Sequence, residues 1–396
     1  MPSSLRLPAA FAGSLLAAEA AVLLLRPRER FARQQVEPRA YFSQQELVKA
    51  TRFRRGQLRI FAAQSALELG LLALAARRAP SAARRPLLTG AASAAGLTLA
   101  TTAAGLPLRA LARRRARDVG LVTQSWRGWA GDVAKGGAIG TGMAAVGGAA
   151  LAYGTRRYGE RWWLPGGALA AGAAVLFTFV GPVVLDPIFN RFTPLPAGPV
   201  RDDVLELARR AGVRVREVYE VDASRRTTAA NAYVNGLGRT KRVVLFDTLL
   251  RDFTAAETRL VIAHELGHVR HRDVPRGLVF ATLAAPLSTL AVARLGRLAQ
   301  REGTTPVPAV ALALAVTTPA LSAIGNQLSR AIERRADDFA LRLTGEPDAM
   351  VAFERRIAVK NVADPAPPRW QRLVLGTHPP TVERIGQALA YASERR

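Results

Sequence analysis

The sequence predicts a mainly α-helical, polytopic membrane protein, with about seven transmembrane helices joined to a small α/β domain. Three observations predict it. Seven stretches approach the ~20 apolar residues that a bilayer-spanning helix needs. Arginines gather at the ends of those stretches. Residues 186–276 lose the long apolar runs and take up mixed helix and strand periodicities instead.

The apolar stretches run Pro8–Leu25, Leu58–Ala76, Pro86–Leu108, Ala134–Tyr153, Trp162–Leu185, Gly277–Ala293 and Pro306–Gly325. The second is interrupted by Gln64 and Glu68, and the fourth is rich in glycine. The first is short, follows Arg6 and contains small residues, so a signal peptide is its alternative reading. Further apolar spans follow it with no clear start of a mature domain, which favours a span.

Charge supports the same class. The chain of 396 residues carries a formal net charge of +26, almost all of it from arginine; the only lysines are Lys49, Lys135, Lys241 and Lys360. Such a balance fits nucleic-acid binding or basic loops beside a membrane. The arginines sit at the ends of apolar runs, not along one amphipathic face or beside aromatics, so the lipid bilayer is the expected partner and nucleic acid is not. Arg26, Arg28, Arg30, Arg33, Arg52, Arg54 and Arg55 crowd one connection, and Arg109, Arg113, Arg114, Arg115 and Arg117 another. Opposite connections are lighter. Positive-inside reasoning puts the heavy loops in the cytoplasm, the N-terminus outside and the C-terminus inside. The Ala/Arg bias suggests a GC-rich bacterial genome, hence a multi-pass protein of the bacterial cell membrane. There is no cysteine, which excludes disulfides, thiolate ligands and a cysteine nucleophile.

The chain divides into a membrane region at 1–185, a catalytic segment at 186–276, two further spans at 277–325 and a second catalytic segment at 326–396. Seven crossings put both catalytic segments on one side. In the first, Val200–Ala211 has helical spacing, Val213–Val221 and Arg242–Phe246 read as strands, and Asn231–Leu237 reads as an edge strand closed by Gly236 and Gly238. Thr254-Ala-Ala-Glu257 is a capping-box pattern opening a helix that should end before Pro275 and Gly277.

That helix carries His264-Glu265-Leu266-Gly267-His268. Two histidines four apart share a helix face and can share a metal. Zinc at such a site lowers the pKa of a bound water, and Glu265 is placed to take its proton, making the nucleophile for an amide carbonyl. Only His378 lies outside His264–His271, so the histidines are not scattered at random. His271 is on the same face but about 10 Å further along the axis, too far to share one ion, and reads as a packing residue.

Such a site needs a third protein ligand. In Ile332–Ala340, a helical stretch continuing from the seventh span, Glu333 and Asp337 share a face; one could bind metal while the other holds a ligand histidine. Taken alone, a solvated face pairing them with Arg330 and Arg334 would account for them. Height argues otherwise. Glu333 lies about 12 Å along a helix from Gly325, and His268 about 13 Å from Gly277, so the two arms reach one level above the membrane.

Together, Asp186–Phe192, Asn231–Gly238, Arg242–Leu250, His264–His268, Glu333–Asp337 and Thr377–Arg384 resemble the CAAX prenyl protease 1 family of integral-membrane zinc metalloproteases and its bacterial relatives. The resemblance implies a gluzincin-type catalytic domain holding one Zn2+ per chain through His264, His268 and Glu333. It implies Glu265 as general base and acid, Asp337 orienting a ligand, Asn231 binding substrate backbone, His378 stabilising the oxyanion and Arg384 supporting the site. It also implies seven helices around a hydrated intramembrane chamber. Eukaryotic members often carry a His-Ser pair where this chain has Ala229-Ala230, so substrate preference does not transfer with the metal site.

The function expected is hydrolysis of membrane-associated or hydrophobic peptides by a zinc-activated water. Two alternatives stand beside it: a quality-control protease resembling the bacterial heat-shock membrane protease, which has fewer spans, and a non-enzymatic scaffold or channel with a structural metal. A structural zinc is normally closed by four protein ligands, and three are visible here. Glu68, an acid within an apolar span, is functional, paired with Arg59 or placed at a misjudged span boundary.

Overall fold

The computed structural model describes residues 3–29, 31–81, 84–236 and 240–395. Arg30, Leu237 at the end of the expected edge strand and the closing Gly238 lie outside the described residues. The membrane region opens with α1 (Ser3–Leu25), α2 (Gln44–Arg77), α3 (Pro86–Asp118), α4 (Trp126–Tyr158) and α5 (Trp163–Val180), the last running through a wider turn into the short α6 (Asp186–Phe189). The catalytic layer follows: β1 (Phe192–Pro194), α7 (Pro199–Arg210), β2 (Glu217–Val221), β3 (Ala232–Asn235), β4 (Arg242–Phe246), α8 (Asp247–Asp252) and α9 (Ala255–Arg270). Two more long helices, α10 (Asp273–Ala299) and α11 (Val307–Thr344), return through the membrane region. The chain ends in α12 (Pro347–Lys360), α13 (Arg369–Val374) and α14 (Thr381–Ser393).

Among the described residues, six helical stretches are long and apolar enough to cross a membrane, namely α1, α2, α3, α5 with α6, α10 and α11. The fourth expected span, α4, is also a helix of spanning length at 33 residues. Its glycines lower its hydropathy, and one of them, Gly148, has a packing purpose. A methyl group on Gly148 would sit 2.3 Å from the Gly90 carbonyl oxygen, and one on Gly90 would sit 2.5 Å from that of Gly148. With Ala94 and Ala152 one turn on, each helix presents a small-xxx-small stripe, and α3 and α4 close backbone to backbone.

The helices extend well past the apolar runs. Arg52–Gln57, expected in a loop, lies inside α2, and Arg109–Arg117 lies inside α3. Apolar length reports bilayer thickness, whereas a helix continues until something caps or breaks it. Ser43 supplies that start for α2 through a capping box with Glu46. In α1, Val22 packs with Leu328 and Ile332 of α11.

The sheet has strand order β1-β2-β4-β3, antiparallel at its outer pairs and parallel between β2 and β4. Central β4 reads Val243-Val244-Leu245, with no solvent exposure on either face, so it is apolar throughout and not alternating. Strand β3 is an edge, as its short, glycine-flanked sequence suggested. Strand β2 starts at Glu217, later than Val213, because the turn after α7 places Gly212 at φ +67 and the chain needs several residues to reach the sheet. The expectation missed β1, which is only three residues long.

One core unites the catalytic layer. Val204, Leu207, Leu245, Leu260 and Leu266 from the first segment pack with Leu341, Met350, Phe353 and Tyr391 from the second. Helix α9 begins at the expected capping box: Glu257 N–H donates to Thr254 Oγ1 at 3.3 Å, and Thr254 N–H donates to Glu257 Oε2 at 2.8 Å. It ends at Arg270, because Arg272 adopts a left-handed conformation (φ 56) that breaks the helical path. Pro275 then falls in the first turn of α10, where its missing N–H leaves no bond unmade.

The α3–α4 crossing gives a direct test. Gly148→Leu should lower the apparent Tm of the detergent-solubilised chain by several degrees, since neither backbone can yield. Gly142→Ala on the same helix, where a methyl meets nothing within 4 Å, should not. Equal Tm values for the two variants would mean that α3 and α4 do not pack in this way.

Candidate metal centre

Helix α9 and the post-membrane part of α11 bring His264, His268 and Glu333 together. His264 Nε2 lies 3.1 Å from His268 Nε2 and 3.3 Å from Glu333 Oε2, while His268 Nε2 lies 3.6 Å from Glu333 Oε1. Ligands at ~2.0–2.1 Å from one tetrahedral zinc stand about 3.3 Å apart, so the spacing is that of a metal cage. The alternative solvated face is not what the structure builds. Glu333 and Asp337 are buried, Arg330 donates to the carbonyls of Arg372 and Gly376, and Arg334 pairs with Glu383.

Hydrogen bonding fixes the imidazoles. His264 Nδ1 is 2.9 Å from Asp337 Oδ1, and His268 Nδ1 is 3.1 Å from Asp273 Oδ2. An ionised carboxylate only accepts, so each Nδ1 carries the proton and each Nε2 turns a lone pair toward the other. Glu333 Oε2, buried beside them, has no hydrogen-bond partner. Three electron-rich atoms facing one another away from water are costly unless a cation sits among them. Burial opposes protonation of His264, yet Asp337 and Glu333 outweigh it and raise the imidazole above its ordinary pKa. The pocket therefore draws in positive charge, and the donor set fits zinc.

The supporting groups form two arms. On one, Arg384 Nε and Nη2 donate to both Asp337 oxygens at 2.8 and 2.5 Å. Burial disfavours the Arg384 charge, but Asp337 and Glu354 more than restore it. Glu354 Oε1 lies 2.5 Å from Arg384 Nη1 but out of line for a hydrogen bond. Burial pushes its carboxyl up to about 7, against the lowering effect of Arg384. On the other arm, Asp273 receives Arg276 at 2.7 Å and also pairs with buried Arg335.

A cavity of about 450 Å³ opens beside the cage, lined by Asn231, Glu265, Met350, Phe353, His378 and Arg384 among others. Glu265 is raised from the usual carboxylate range, chiefly by burial, with the two histidines pulling the other way. His378 Nε2 stands 3.5 Å from Glu333 Oε2, its side chain 61 % exposed toward the cavity side. Asn231 is exposed at the start of edge strand β3, its Oδ1 accepting the Ala232 N–H at 2.9 Å. His271 stays apart, its Nδ1 bonded to the Gly267 carbonyl at 2.9 Å and its ring edge-on to Phe339. Glu68 is exposed on α2, and no ion pair joins it to Arg59 among the described residues.

Sequence reasoning missed Asp273, Arg335 and Glu354. Asp273 is five residues past His268, a spacing with no helical meaning. Only the left-handed Arg272 turns the chain so that this carboxylate faces back.

Residues 194–392 match peptidase family M48. The chain is 30 % identical over 303 residues to an uncharacterized metalloprotease, YhfN, of Bacillus subtilis, covering 74 % of this chain and 71 % of that protein. It is 32 % identical over 235 residues to a CAAX prenyl protease 1 homolog of rice, covering 55 % of this chain and 53 % of that one. Its fold follows the crystal structure of S. mikatae Ste24p with a TM-score of 0.76 at 19 % identity, over 98 % of this chain and 99 % of the other.

Asp273 is the sharpest test of the cage. Asp273→Asn keeps an acceptor for His268 but removes the charge, and should weaken zinc binding by roughly tenfold in a chelator competition. Unchanged affinity would reduce Asp273 to an anchor for Arg335 and Arg276.

Proposed function

The chain belongs to peptidase family M48, and from that premise we propose that it is a zinc-dependent membrane endopeptidase cutting membrane-associated or hydrophobic peptides. That it is a membrane metalloprotease follows from the family and the membrane-spanning helices. The finer reading rests on one observation, the cage of His264, His268 and Glu333 with an orphaned carboxylate oxygen facing two imidazole lone pairs.

When bound there, zinc would supply Lewis acidity and make water a nucleophile near neutral pH. The chain's own residues do the rest. Glu265, one residue past His264 and three before His268 on the helix, takes the proton of the attacking water and returns it to the leaving amine. Its raised pKa suits a group that must both accept and donate. His378 extends into the cavity across from Glu333, where it can donate to the oxygen that gains charge as the carbonyl becomes tetrahedral. Asp337 and Asp273 hold the imidazoles, and Arg384 keeps Asp337 ionised.

Substrate would lie along β3, whose outer edge leaves backbone groups for an extended peptide to pair with, beginning at Asn231. Met350, Phe353 and Ile357 in the cavity wall support an apolar side chain beside the scissile bond. The arginine-rich helix ends lie on the side of the catalytic layer. The α1–α2 connection bonds α14 through Gln34 N–H to Gly386 O, and the α3–α4 connection bonds the segment before β3 through Thr123 N–H to Arg226 O. By the positive-inside bias this supports a cytoplasmic active site in a bacterial cell membrane.

Purified protein should carry about one zinc per chain by elemental analysis. Glu265→Ala should keep that metal while peptide cleavage falls by at least about a hundredfold; His264→Ala should lose both. Full proteolysis by Glu265→Ala would sink the mechanism. Metal retained with no peptide cut by the wild type would favour a structural zinc.

A further inference from the structure

A second cavity, of about 640 Å³, lies where α2 and α3 leave the apolar layer on the catalytic side, and five arginines line it. Arg52, Arg55 and Arg59 occupy one face of α2 at helical spacing, Arg115 comes from the last turns of α3, and Arg39 from the preceding connection. Among the described residues none of the five pairs with a carboxylate. Their neighbours differ. Arg54, on another face of α2, donates to Gln371, and Arg113 donates to Gln124 while stacking on Trp126 and Trp129.

The cavity is also built, not merely crowded. The Arg115 guanidinium lies against the α2 backbone at Gly56, where a methyl group would come within 2.0 Å of Nη2. Arg115 Nε is out of contact with solvent and has no hydrogen-bond partner. Arg39, Arg52, Arg55 and Arg59 are exposed around it. Like charges three and four apart along one helix face repel, and an anion between them removes that cost. Phosphoryl oxygens match several guanidinium forks at once. One carboxylate, Asp118, lines a neighbouring cavity together with Lys49, Arg52 and Arg115, and makes no ion pair with the two arginines among the described residues.

We propose that this cavity binds a phosphoryl group, supplied by an anionic phospholipid headgroup or by free phosphate. Its depth favours the lipid. Arg59 falls at the start of the apolar run of α2, Arg115 lies seven residues past Leu108, about 10 Å along α3, and Val48 on the cavity wall is 53 % exposed. A headgroup seated there would tie α2 to α3 at the entrance to the catalytic layer.

Native mass spectrometry of the full chain in detergent, titrated with phosphatidylglycerol, phosphatidylcholine or inorganic phosphate, tests this. Phosphatidylglycerol should bind tighter than phosphatidylcholine, and Arg52→Gln/Arg55→Gln should weaken it by on the order of tenfold. Arg115→Gln should do so independently, while Arg84→Gln/Arg85→Gln, at the opposite membrane face, should not. Saturable phosphate binding lost in the same variants, without lipid preference, would assign the site to the free anion. Binding of both lipids alike with no phosphate binding, or no effect of Arg52, Arg55 and Arg115, would overturn the proposal.

Discussion

The structure is organised around an electrostatic conflict. Two imidazole nitrogens lie 3.1 Å apart, and each has an oxygen of the same carboxylate within 3.6 Å, away from bulk water. Left alone they repel, so the surrounding residues must force them together, and a cation must offset what remains. The forcing is covalent and mechanical. His264 and His268 are locked to each other by one turn of α9, and Glu333 is carried by a different helix that cannot drift. Asp337 and Asp273 take the outer nitrogens and thereby choose which face of each ring looks inward.

The second helix explains why the site sits beside a membrane. Helix α11 runs unbroken for 38 residues, about 57 Å, while the hydrocarbon layer is only about 30 Å thick. Its first half belongs to the bilayer, and its second half is a rigid post delivering Glu333 and Asp337 to a fixed height. Helix α9 meets it there because the chain breaks at Arg272 and starts α10 straight away. The position of the chemistry is therefore set by α11, a membrane anchor that carries Glu333, and by α9, which is joined directly to the anchor α10. A soluble fragment of the catalytic layer would lack that reference.

Several of these features could be read from the sequence, and the reason differs for each. Strand β4 and the capping box of α9 are local patterns, complete within a few residues, and they fall where expected. The convergence of His268 and Glu333 could be anticipated because both are counted along helices from a membrane edge. The second arm could not. Asp273 reaches His268 through one residue's left-handed conformation, and Glu354 meets Arg384 through the packing of α12 on α14. Neither depends on periodicity. The extent of α2 and α3 was hidden for another reason: hydropathy ends at the lipid boundary, while the hydrogen-bonded helix does not.

That last point bears on the arginines. As bulk composition they say only that the chain is basic, but the structure separates them into two kinds. Arg335, Arg384 and Arg334 each face a carboxylate beside the metal cage, and Arg226 pairs with Asp132 of α4, so their charge is spent on holding geometry. Arg52, Arg55, Arg59 and Arg115 face one another around a cavity at the lipid boundary. Burying an acid's partner rigidifies a site. Gathering unpartnered cations leaves one waiting for a ligand. A single residue type thus does opposite work a few helical turns apart, and only the presence or absence of a nearby carboxylate distinguishes the two.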